Sequence, residues 1–233
     1  MKSDDDQEGH SLSVTPGELT GEIVSAALSA VPVAGGPMAA IANGLISRRQ
    51  NRRLNKFLVD LAADMKGLEQ RINRDFAKSE EFEAVAEDVF SKAAETRQQE
   101  KLDALRAIFL NTLLSGRPSY DATAEIAQLV HDFQARHIVM LRILADPLRA
   151  DREMGSVVGS GGGISTSIMS IFRKLLPEWT EDDIDRTWAE LHERKLHSTP
   201  GTKVMMTDRG IHQLEGRLTR FGQHVVGFLT PPD

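Results

Sequence analysis

Apolar positions recur every three to four residues along most of this chain, the spacing of helices with one buried face. Leu54, Leu58, Leu61, Met65, Leu68 and Ile72 step by 4, 3, 4, 3 and 4. That heptad-like seam predicts a helix which, if unbroken from Met38 to about Ala77, would be roughly 60 Å long. Ser79 then offers a cap for a helix with Phe82, Val85, Val89 and Ala93 on one stripe. Leu102, Leu105, Ile108, Phe109 and Leu113 form the next stripe, ended by Gly116 and Pro118. Asp121 can cap a further helix bearing Ile126, Leu129, Val130, Phe133, Leu141 and Leu144, which Asp146 and Pro147 stop. Five or more helices with short connections predict an up-and-down bundle.

The start of the chain departs from this amphipathic pattern. Residues 23–47 run for 25 positions without a charged side chain, in a chain that is 27% charged. Thr15 and Pro16 suit a helix start, and Leu19, Ile23, Ala26, Ala27 and Ala30 keep helical spacing. Pro32, Gly35, Gly36 and Pro37 break it, and Met38, Ile41, Leu45 and Ile46 carry a second arm. The prediction is a helical hairpin over 15–47, buried in protein, in a partner or in lipid. Each arm is about 13 residues, or roughly 20 Å, too short for a 30 Å hydrocarbon core. A core hairpin is therefore the first reading, and a hairpin released into a membrane is the second. Arg48, Arg49, Arg52, Arg53 and Lys56 follow, five positive charges within nine residues. They are candidates for contact with an anionic partner or lipid headgroup, although a solvated helix face is the plainer reading. No aromatic residues interleave with them, so base stacking is not indicated.

Composition divides the rest. Residues 1–14 form an acidic, polar tail expected to be disordered, without the basic start of a secretory signal. The bundle is expected over 15–148 and a Gly-rich linker or insertion over 149–163, with a second module over 164–233. In that module Ile168, Ile171, Phe172 and Leu175 predict a short helix closed by Pro177. Thr180 and Asp183 form a capping box for a helix with Ile184, Trp188 and Leu191. Short strands at 195–197 and 203–206 flank Thr199, Pro200 and Gly201. Leu218, Thr219 and Gly222 open a last helix carrying Val225, Val226, Phe228 and Leu229.

This succession, with a first helix over 136–145, resembles winged helix-turn-helix domains. The resemblance covers residues 137–229 of the 233, through the order of elements and the Leu-Thr-x-x-Gly start. The 149–163 insertion and the long wing region over 196–217 depart from the compact pattern. The whole chain is similar to bacterial proteins of uncharacterised activity that carry a helical bundle before a winged helix. The expected fold class is thus mainly α: an N-terminal hairpin and long-helix bundle, then a winged-helix-like module with a small β-hairpin.

Zero cysteines exclude thiolate catalysis, Cys-based zinc sites and disulfides. A net charge of −6 argues against a surface built throughout to clamp nucleic acid. The winged-helix resemblance implies a third helix in the major groove, yet that helix begins Glu181, Asp182, Asp183 and Asp185, the wrong sign for phosphate. The Gly-rich run before 164 lacks the Lys-Ser/Thr ending of a P-loop, and the seven histidines show no ligand spacing. No catalytic, cofactor-binding or metal-ligating residues are assigned. The leading expectation is a cytoplasmic, non-enzymatic interaction or scaffold protein that binds a protein partner or itself, through the 54–72 seam or the C-terminal helix. The alternatives are a membrane-perturbing effector using the 15–47 hairpin and a DNA-binding regulator.

Overall fold

A computed structural model describes residues 38, 39, 41, 52–115, 120–156, 158, 166–206 and 210–232. The hairpin turn at Pro32, Gly35, Gly36 and Pro37, the acidic tail, and Arg48 and Arg49 lie outside these. Met38 and Ala39 are buried and helical, and Ile41 packs partly buried on the same core.

Helix α1 spans Arg52–Gly67 and buries Leu54, Leu58, Leu61 and Met65 completely. It does not run on to Ala77 as the seam predicts. Gly67 ends it, and two 3-10 turns follow, at Glu69–Arg71 and Phe76–Lys78. Asn73 accounts for the break: its side-chain oxygen accepts from the Asp75 and Phe76 amides, and its own amide reaches the Leu113 carbonyl. An Asn that bonds its own backbone offers the chain an alternative to helix. The sixteen described residues of α1 span about 24 Å. The seam faces the core of its own chain, so as it stands it is not an exposed surface for a second copy.

α2 (Glu80–Glu95) starts where Ser79 accepts from the Phe82 amide at 3.1 Å, and Phe82, Val85, Val89 and Ala93 are all buried. α3 (Gln99–Ser115) is the central helix. It buries residues on every side, among them Leu102, Ala104, Ala107, Phe109 and Leu113, because α1, α2 and three later helices surround it. Five phenylalanines form a continuous ladder here: Phe76 to Phe82 at 5.8 Å, Phe82 to Phe109 at 5.5 Å, Phe109 to Phe90 at 5.4 Å and Phe90 to Phe57 at 6.3 Å.

The single helix predicted after Asp121 is two, α4 (Tyr120–Asp132) and α5 (Ala135–Ala145). The break falls at Phe133 and Gln134, where Gln134 and His137 form a capping box that opens α5. Asp121 lies inside the first turn of α4 rather than capping it. Asp146 ends α5 as expected, but it also caps a short helix α6 (Pro147–Glu153), accepting from the Arg149 amide at 2.9 Å. The first residues of the expected 149–163 linker are therefore helical.

Beyond it come β1 (Thr166–Ser167), α7 (Ile168–Leu175), α8 (Glu181–Glu193), β2 (Met205–Met206) and α9 (Arg220–Leu229). The predicted pairing of 195–197 with 203–206 is not formed. β2 pairs antiparallel with β1, Thr166 opposite Met206, while His197 bridges to Leu218. The loop between is tied to α8 instead: the Trp188 indole donates to the Thr199 carbonyl at 2.7 Å, and the Thr202 hydroxyl donates to Asp185. A tight local hairpin would need those groups elsewhere.

Candidate interaction surface

α5 joins the two halves, packing on α3 in front and on α8 behind. On the α8 side His137 is buried, stacked 4.8 Å from Phe133. Its Nδ1 accepts from the Gln134 amide, so the ring proton sits on Nε2 and is donated to Glu190. Arg136 reaches Glu190 at 3.3 Å and Asp183 at 3.9 Å. Burial depresses the His137 pKa, and the Glu190 carboxylate opposes that only in part. Nothing in the sequence marks this cluster. His137 and Glu190 are 53 positions apart, and only the Gln134–His137 spacing hints at a cap.

α8 itself begins at Thr180, whose hydroxyl accepts from the Asp183 amide while Asp183 reaches back to Thr180. Those bonds to the carboxylate hold the Asp183 pKa low. Three of the four acids at this helix start thus have structural partners: Asp183 in the cap, Asp185 at Thr202, and Glu181 at Arg173, 2.8 Å away. The inward face of α8 carries Ile184, Thr187, Trp188 and Leu191, all buried. Its outward face carries Glu181, Asp182, Arg186, Ala189 and Glu193, all exposed. Three carboxylates stand there with Arg186, and Arg173 of α7 pairs with one of them, Glu181.

The helix ends in a left-handed residue, Lys195, at φ 62°. The Leu196 amide bonds the Leu191 carbonyl and the Lys195 amide bonds that of His192, a Schellman closure normally given to Gly. α9 then docks beside it. Thr219 accepts from the Gly222 amide at 2.9 Å, and a Cβ on Gly222 would lie 1.9 Å from the Leu196 carbonyl oxygen. Only glycine permits that approach. At its far end α9 is held by Asn111 of α3, whose amide donates to the Gly227, Phe228 and Thr230 carbonyls at 3.2, 3.2 and 2.8 Å.

Of the predicted basic run, Arg52 is the first residue of α1, and Arg53 and Lys56 are exposed on its opening turns. Acid lies close by. Lys56 pairs with Asp60 at 2.6 Å, and Arg106 of α3 reaches Asp60, Asp64 and Asp103 at 3.4, 3.1 and 3.7 Å. Burial raises the Asp64 pKa, and Arg106 draws it back down. The cleft between these groups has a volume of about 30 Å³, room for a water and no more. Among the described residues no group of three or more His, Asp or Glu side chains is placed to hold a metal ion. No described helix is long and apolar enough to cross a membrane.

The fold defines a mainly helical protein with a small two-stranded antiparallel sheet. Comparison with family models, curated proteins and solved structures gives no match for the chain.

Proposed function

We propose that the chain is a non-enzymatic interaction protein whose winged-helix-like C-terminal half binds protein. The observation that carries this reading is the outward face of α8, where Asp182, Arg186, Ala189 and Glu193 follow one another at helical spacing with Glu181 beside them. In a DNA reader this is the helix that meets phosphate, and an excess of carboxylates there repels it. Apart from the inserted α6, the order α5, α6, β1, α7, α8, β2, α9 supports the winged-helix likeness, as does the pairing of β1 with a strand after α8. Ala189 leaves a low point between charged neighbours, which suits close approach of another backbone. Burial of Met38 and Ala39 in the core weighs against ready release of the hairpin into lipid.

The test compares the full chain with its Ala189→Arg variant in affinity capture followed by mass spectrometry, with circular dichroism to verify equal folding. The expected result is a set of proteins retained by the native chain and lost by the variant. Identical retention by both would remove the α8 face from the proposal.

A further inference from the structure

α8 is gripped on two sides by buried histidines in unlike surroundings. His137 reaches it from α5, and His197 reaches it from the segment that follows it. His137 is also held below the usual histidine range by burial, but Glu190 faces its Nε2 and offsets that in part, with Arg136 reaching the same carboxylate.

His197 has no such partner. It is 1% exposed, and its ring lies 4.0 Å from that of Trp188 and 5.3 Å from that of His192. Nε2 donates to the Trp188 carbonyl at 2.8 Å, while Nδ1 is buried with no hydrogen-bond partner. The Thr199 carbonyl, already accepting from the Trp188 indole, can also accept from a protonated ring, but this offsets the cost of burial only in part. Of the ionisable groups, His192 from α8 lowers the His197 pKa further, and the Arg217 guanidinium donates to the Thr199 hydroxyl at 3.2 Å. Thr219, the cap of α9, and Gly222 are neutral and are bonded or packed to the adjoining Leu196.

We infer that acid opens the molecule at one face of α8: protonation of His197 frees the 195–219 segment from α8, while the His137–Glu190 contact keeps α8 on α5. The chemistry has a definite sign. Burial lowers the His197 pKa from 6.5 to about 4, so the ring is neutral in the closed form. Stability from that closed form is complete above pH 6.5 and falls as the pH drops toward 4. Each pH unit in that window favours opening by about tenfold, the effect of one proton. Opening uncovers Trp188, Leu191 and Leu196, an apolar strip that the closed form hides.

The experiment follows Trp188 emission and far-ultraviolet circular dichroism together in a reversible acid titration of the full chain. Trp179→Phe leaves Trp188 as the sole tryptophan. The expected result is a red shift of the emission between pH 6.5 and 4 with most helical signal retained. His197→Gln, which keeps a donor for the Trp188 carbonyl, should move the midpoint by about one pH unit or more toward acid, whereas His137→Gln should leave the red shift in place. Should His197→Gln fail to fold, ring nitrogen resonances of the native chain decide the matter, since His197 must take its proton together with the red shift. Emission and helix signal lost in one step, an unmoved midpoint in His197→Gln, or a His197 ring that titrates without a red shift would each overturn the inference.

Discussion

The region around α1 to α3 and the region around α7 to α9 are stabilised by different chemistry. The first rests on apolar contact, a ladder of five phenyl rings with leucines and alanines filling around it. The second is pinned by single polar bonds at fixed points: the Thr180–Asp183 box, the Trp188 indole, His197, Thr219 against Gly222, and Asn111 on the end of α9. Apolar packing is non-directional and tolerates repacking, whereas a polar bond has one geometry, and a buried one such as the Trp188 indole to Thr199 leaves an unsatisfied group when broken. The contrast teaches that these two regions should fail differently under substitution.

The largest effect should come from the ladder. Phe109→Ala removes a ring in contact with both Phe82 and Phe90, and should lower unfolding free energy by about 3–5 kcal/mol in urea titration. Gly222→Ala should follow at about 1–3 kcal/mol, since the new methyl must displace the Leu196 backbone. Amide exchange separates the two: the glycine variant should lose protection over Arg220–Leu229 while α2 and α3 keep theirs, and uniform loss would refute the local account. Asn111→Ala should cost about 1 kcal/mol by leaving three carbonyls at the α9 terminus to solvent. An unchanged melting curve would show that water replaces the amide fully. Smallest and opposite in sign, Lys195→Gly should stabilise by about 0.5–1 kcal/mol, because glycine takes φ 62° without strain. A loss of stability there would mean that the lysine stem packs more than its backbone resists.

The same contrast explains what could be read from residues alone. Helices with one wet face announce themselves, as Phe82, Val85, Val89 and Ala93 do behind Ser79. The α9 start was legible because Thr219 and Gly222 act within one turn. The end of α1 was not, because Leu68 and Ile72 continue the seam while Asn73 redirects the backbone. Apolar spacing did not divide α4 from α5 either, because it runs through a cap made by Gln134 and His137, although the winged-helix resemblance had set a helix over 136–145. The sheet was misread for a related reason: neighbours in sequence suggest a hairpin, but Trp188 and Asp185 hold the intervening loop and leave β2 to pair with β1. The His137–Glu190 and His197–Trp188 contacts join residues whose spacing carries no pattern at all. The acidic start of α8 was visible as charge, but only its burial pattern separates the acids used in capping from those facing outward.

That outward charge is the point on which the functional reading turns, and a duplex titration addresses it most directly. The full chain, mixed with a labelled duplex of mixed sequence, is followed by anisotropy as salt rises from about 50 to about 200 mM. The α8 face predicts no binding at the low-salt end. Binding there that weakens steeply with added salt would contradict it, and would assign this helix or its basic neighbours to phosphate.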